Sequence, residues 1–164
     1  MRGKVVAGNH QKLELTWIGK DQRPRLEPRI LLEDPARSYH AKQRVTDRDI
    51  FDNRLIKGDN LLALKALEAE FAGTVKCVFI DPPYNTGAKD WKYNNDYVEG
   101  DDLYRHSKWL AMMERRLQVA KQLLNPADSV LIVTIDEKEY LRLGLLLEQV
   151  FPEGTLEMVT TVVN

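Results

Sequence analysis

Val75-Lys76-Cys77-Val78-Phe79-Ile80-Asp81-Pro82-Pro83-Tyr84-Asn85-Thr86-Gly87 decides the fold class of this chain. The run from Val75 to Ile80 is mostly β-branched or aromatic and reads as a buried strand. Asp81 to Gly87 ends that strand, because two consecutive prolines remove backbone donors and fix φ. A carboxylate, two rigid prolines and an aromatic ring thus stand at one strand end. In open α/β sheets the carboxyl ends of the strands are where ligands bind.

Outward from this stretch the pattern alternates. Upstream, Arg54-Leu55-Ile56-Lys57 reads as a strand and Gly58-Asp59-Asn60 as a turn. Leu61, Leu62, Leu64, Leu67 and Phe71 form a helical stripe that Gly73-Thr74 stops. Downstream, a polar loop is expected from about Asn85 to Gly100. A long helix follows, capped by Asp101 or Asp102, with Leu103, His106, Leu110, Met113, Leu117, Ala120 and Leu124 on one face until Asn125-Pro126. The β-branched run Ser129–Ile135 has the composition of a parallel strand covered on both faces. Asp136 and Glu139 have capping-box spacing ahead of a helix carrying Tyr140, Leu143, Leu147 and Val150, and Leu156–Val163 reads as a last strand. The expected fold is α/β, a partial doubly wound and mainly parallel sheet with an N-terminal extension.

The chain has 164 residues, 43% of them hydrophobic, enough for one domain with a core and too few for two comfortable ones. The division expected is an extension over 1–53 and one α/β unit over 54–164. No apolar run approaches the roughly 20 residues of a membrane span, and the N-terminus lacks a secretion signal, so a cytoplasmic protein is expected. Cys77 is the one cysteine and reads as a small inward core residue; no disulfide or metal site is expected. Net charge is −1, so any phosphate binding must use locally gathered charge. Lys20–Arg29 holds four basic and two acidic residues among prolines, which reads equally as an extended basic arm or as a solvated segment tying down the N-terminus. Leu13–Ile18 reads as a short strand, and His10 and His40 as surface residues.

The chemistry implied by Asp81–Tyr84 is specific. Asp81 accepts hydrogen bonds, Tyr84 offers a stacking face, and the prolines hold a carbonyl in a fixed direction. A flat ligand with an exocyclic amine, such as a nucleobase, suits that set. The loop beyond contains Lys89, Trp91, Lys92, Tyr93 and Tyr97, which reads equally as a cover for ligand or as a loop packed by its own aromatics.

Asp81-Pro82-Pro83-Tyr84-Asn85-Thr86-Gly87 resembles motif IV of the amino-methylating DNA methyltransferases. Leu55–Leu61, Trp109–Leu117 and Ile132–Glu137 extend the likeness to the N-terminal half of the β-class modification subunits of type III restriction-modification systems, over roughly Leu13 to the end. The resemblance implies a Rossmann-like methyltransferase sheet and transfer of a methyl group from S-adenosylmethionine to adenine N6 in duplex DNA, with the base flipped out. It implies Asp81, Pro82, Pro83 and Tyr84 as catalytic residues and Asp59, Asp81, Asn85 and Thr86 as cofactor-binding ones. Asp59 reads equally as a turn or helix cap, and Asp136 as a cap. Adenine is implied because Asp leads the motif, where the cytosine-N4 enzymes usually carry Ser. Partners implied are duplex DNA, a second modification subunit and a restriction subunit, and no membrane.

One departure stands out. The family needs a glycine-rich turn that lets the backbone approach the cofactor, and no two of the nine glycines here form a Gly-x-Gly pair. The expectation is therefore the amino-terminal piece of a longer enzyme, inactive by itself. RNA or protein-amide methylation, and a non-enzymatic interaction module, are the competing readings.

Overall fold

The computed structural model describes residues 14–23, 25–27, 29–39, 46–48, 53–93 and 96–161. In chain order the elements are α1 (Asn60–Phe71), β1 (Cys77–Ile80), β2 (Ala88–Tyr93), β3 (Asp96–Glu99), α2 (Arg105–Leu123), β4 (Val130–Val133) and α3 (Tyr140–Val150). β1 and β4 pair in parallel, Cys77 opposite Val130 and Ile80 opposite Val133. Parallel strands need a crossover, and the β2–β3 hairpin with α2 supplies it. Mixed helix and strand around a small parallel sheet is the α/β class that the alternating pattern implies.

α2 organises the core because it is apolar on two sides. Trp109, Met113 and Leu117, four residues apart, are all 0% exposed and pack with Leu143, Leu146 and Val150 of α3 and with Ile80, Leu131 and Val133 of the sheet. Val119 and Leu123 turn instead to Leu61, Leu64 and Phe71 of α1. Asp59 starts α1 as a side-chain cap, accepting from the backbone N–H groups of Leu61 at 3.0 Å and Leu62 at 3.1 Å.

The N-terminal segment lies against this core. Trp17 is buried in it, Gln149 of α3 accepts from the Leu15 N–H at 3.0 Å, Arg23 pairs with buried Glu114, and Arg115 donates to the Gln22 carbonyl at 3.2 Å. The beginning of the basic stretch is thus tied down, as the second of its two readings has it. Burial pushes the Glu114 carboxyl above its ordinary range, and the charge of Arg23 opposes the shift.

Several sequence expectations fail for identifiable reasons. Residues 54–57 form no strand among the described residues, and Leu55 is fully exposed, with no neighbouring strand to pair it. Residues 14–17 are irregular and turn over at 18–21, where Gly19 takes a φ of 85°. Residues 156–161 are exposed and unpaired. The expected polar loop contains the antiparallel β2–β3 hairpin, whose register shift between Ala88 and Lys92 hides the alternation that would have revealed it. Cys77 is exposed, because it shares a sheet face with Phe79, Val130 and Ile132 that nothing among the described residues covers. α2 begins at Arg105, leaving Leu103 90% exposed, and Asp102 accepts from the Tyr104 N–H at 2.8 Å instead of capping the helix. Glu139 cannot complete a capping box with Asp136, because its side chain is buried elsewhere; Asp136 accepts from the Lys138 N–H at 2.9 Å. The readings on His10, Leu13, His40 and residues 162–163 lie outside the described residues.

Candidate active site

β1 ends at Ile80, and Asp81 follows it at the carboxyl edge of the parallel pair, exposed. The neighbouring strand fixes its side chain. The Thr134 hydroxyl, just past the end of β4, donates to Asp81 Oδ1, and its backbone N–H donates to the Ile80 carbonyl at 3.0 Å. Tyr84 Oη donates to the same Oδ1 at 3.1 Å. Two hydroxyls therefore hold one carboxylate oxygen, while Oδ2 meets no donor among the described residues. An exposed carboxylate oriented through one oxygen keeps the other as a directed acceptor.

The loop alternates between outside and inside. Pro82 is buried, and Tyr84 is 37% exposed. The Pro83 carbonyl accepts from Trp109 Nε1 of α2 at 2.7 Å, which anchors the loop from beneath. Among the described residues none donates to the Pro82 carbonyl. Asn85 is 1% exposed and has a φ of 59°, a left-handed conformation that asparagine tolerates better than most side chains. Its amide is committed inside: Nδ2 donates to Glu139 Oε1 at 2.5 Å, and Oδ1 accepts from Trp91 Nε1 at 3.2 Å. Thr86 is exposed. Gly87 has a φ of 94°, and a Cβ there would come within 2.7 Å of the Gly100 Cα, so the motif's last residue must be glycine for the base of the hairpin to close.

Trp91 is therefore a packing residue at 7% exposure, not a cover for ligand, while the side chains of Lys89, Tyr93 and Tyr97 lie outside the described residues. Asp59 keeps Oδ2 beside its capping Oδ1. A cleft of about 450 Å³ lies at the opposite end of β4, between Asn125, Val130, Phe151 and Leu156, away from Asp81. Among the described residues no group of His, Cys, Asp and Glu is placed to hold a metal, and no helix is long and apolar enough to cross a membrane. Thr134, Trp109 and Glu139 carry much of this geometry, and none of them stands out in the sequence as a site residue.

At this strand end an oriented carboxylate, a carbonyl that meets no donor among the described residues and a partly exposed aromatic ring stand together. Residues 75–159 match the family described as DNA methylase, and the chain belongs to that family. It is 40% identical over 120 residues to a probable type III restriction-modification enzyme Mod subunit, HindVI, of Haemophilus influenzae, covering 73% of this chain and 15% of that protein. Over its whole length it is 32% identical to the EcoPI Mod subunit of Escherichia phage P1, spanning 29% of it. The type II methyltransferase M.KpnI of Klebsiella pneumoniae is 32% identical over 97 residues, 58% of this chain and 23% of that protein. The chain spans less than a third of the length of each of these relatives.

Proposed function

We propose that the chain supplies the target-base half of a methyltransferase that transfers a methyl group from S-adenosylmethionine to adenine N6 in duplex DNA. The observation that carries the reading is exposed Asp81, held through Oδ1 by Thr134 and Tyr84, with no donor to Oδ2 among the described residues. An exocyclic amine is a weak nucleophile because its lone pair is delocalised into the ring. Acceptors at its hydrogens, Asp81 Oδ2 and the Pro82 carbonyl, turn that lone pair out of the ring plane and stabilise the charge that develops on nitrogen. The Tyr84 ring stacks on the extruded base, a contact worth roughly 1–3 kcal/mol. No covalent enzyme intermediate is required.

The residues present fit the reacting end of the cofactor, which supplies an electrophilic methyl group when bound. Asp81 and Thr86 stand exposed at the sheet edge, and Asp59 retains an oxygen for a ribose or adenine donor. We assign Asn85 to the same site through its backbone, since its side chain is turned inward. No Gly-x-Gly pair occurs in the 164 residues to admit the amino-acid end, so these residues alone bind the cofactor weakly and do not methylate. The names of the relatives support a duplex DNA substrate and, in the restriction-modification setting, a second modification subunit and a restriction subunit as partners. A doubly wound Rossmann-like sheet and the division at residues 53 and 54 belong to the same proposal.

The test is methyl transfer by the intact protein, as its gene encodes it, from labelled S-adenosylmethionine to duplex DNA, RNA and protein acceptors. The label is expected on adenine N6 of DNA and is lost in Asp81→Ala with DNA affinity retained, because phosphate contacts dominate affinity. Label on cytosine, RNA or protein refutes the substrate assignment, and equal loss of transfer and DNA binding refutes the role of Asp81.

A further inference from the structure

We propose that Glu139 is a positioning residue for methyl transfer, holding the Asn85 side chain inside the fold and so fixing the backbone that presents Asp81, Pro82 and Tyr84. This rests on the methyltransferase reading above. Glu139 is 0% exposed, 54 residues from Asn85 in sequence, and belongs to neither the base-facing nor the cofactor-facing set.

Burying a carboxylate is unfavourable unless its oxygens are well partnered. Glu139 Oε1 accepts from Asn85 Nδ2 at 2.5 Å and also meets His106 Nδ1; Arg142 reaches Oε2 at 3.5 Å. Arg105 Nε donates to His106 Nε2 at 3.3 Å, so the ring proton stands on Nδ1 and points at Glu139. The carboxylate thereby joins the motif loop, the first turn of α2 and the start of α3.

One peptide separates exposed Tyr84 from buried Asn85, and Asn85 holds a left-handed φ of 59°. Such a conformation persists only where surroundings over-determine it. Here the two ends of one amide are gripped by Glu139 and Trp91, and Trp109 fixes the carbonyl of Pro83. With Glu139 removed, the loop retains the tryptophan contacts and the long bond from Asn85 Nδ2 to the Arg105 carbonyl at 3.5 Å but loses the short bond that pulls Asn85 inward, and the spacing between the Tyr84 ring and Asp81 relaxes.

The contact can be graded without changing its shape, and that provides the test. Glu139→Gln keeps an uncharged oxygen that can accept from Asn85 Nδ2 and His106 Nδ1, whereas Glu139→Leu removes the acceptor. In the intact protein Glu139→Leu is expected to lower kcat at least tenfold with the KM for DNA within about threefold, and Glu139→Gln to stay within about threefold of the parent. Melting temperatures separate this from unfolding. If Glu139→Leu does not fold, Glu139→Met takes its place.

Amide exchange of the peptide covering residues 81–87 gives a readout independent of activity, expected to be faster in Glu139→Leu and close to the parent in Glu139→Gln. A folded Glu139→Leu with parental kcat and exchange overturns the proposal, as does a folded Glu139→Gln no better than Glu139→Leu. If the intact parent protein transfers no methyl group, the methyltransferase reading fails, and the exchange experiment still decides whether Glu139 holds the loop.

Discussion

Two hydroxyls hold Asp81 Oδ1, and under the proposed function Oδ2 meets the substrate, so substitutions around Asp81 separate the two oxygens. Thr134→Val removes the hydroxyl that orients Oδ1 while keeping shape and β-branching. Hydrogen bonds to charged groups contribute about 1.5–3 kcal/mol, so a loss expressed in the transition state lowers kcat about tenfold to a hundredfold. Tyr84→Phe removes the bond to Asp81 and keeps the stacking face, whereas Tyr84→Ala removes both. The expected order of kcat/KM is parent, Tyr84→Phe, Tyr84→Ala; equality of the two variants would show that the ring does not contact the base. Asp81 and Tyr84 were legible in sequence because they sit in one short motif. Thr134 was not, since its bond to Asp81 spans 53 residues and depends on the parallel register of β1 with β4. Asn85 was legible as a motif residue but not as an inward-facing one, because nothing local announces a left-handed φ.

Among the elements, α1 and α2 were readable because long stripes recur at helical spacing, whereas the short elements depend on partners the sequence does not name. The β2–β3 hairpin is the clearest case: Trp91 and Val98 bury themselves, but the register shift scrambles the two-residue period around them. Gly87→Ala should disturb this hairpin although Gly87 is only half-buried, since the added carbon meets the Gly100 backbone. Lowered thermal stability together with faster exchange over residues 81–87 is the expected result. In α2, Leu117→Ala should destabilise by about 2–5 kcal/mol, the usual range for a fully buried leucine, measured by denaturant unfolding. Phe79→Ala on the open sheet face should cost far less, with its ring 64% exposed. Glu114 makes stability depend on pH. Its folded pKa is raised above the ordinary 4.5, so the folded state holds the proton more tightly; that contribution is full below about 4.5 and is lost as pH rises through the raised value. Glu114→Gln mimics the neutral form, and half-exposed Arg23 can turn to water when its partner loses charge. The variant should therefore gain stability relative to the parent as pH rises from about 4 to 7, and a difference that does not change with pH would reject this account.

For the whole molecule the decisive feature is the β1–β4 sheet, packed on one face and, among the described residues, open on the other. Ile80, Leu131 and Val133 face the helices, while Phe79, Val130 and Ile132 stay 45–64% exposed. The sequence pattern called for cover on both faces, because near-continuous apolar strands are normally enclosed. Under the proposed function the cofactor meets Asp81 and its neighbours at the reacting end and needs a close backbone approach at the amino-acid end, and no Gly-x-Gly pair occurs in residues 1–164 to give the second. Calorimetric titration of these 164 residues with S-adenosylmethionine should accordingly give a Kd no tighter than about 1 mM, corresponding to roughly 4 kcal/mol. Micromolar binding would mean that the contacts around Asp81, Thr86 and Asp59 suffice, and that the glycine turn is not the missing determinant. Weak binding that a longer polypeptide restores to the micromolar range would locate the cofactor's amino-acid end outside these residues, and would leave them the work of presenting the base.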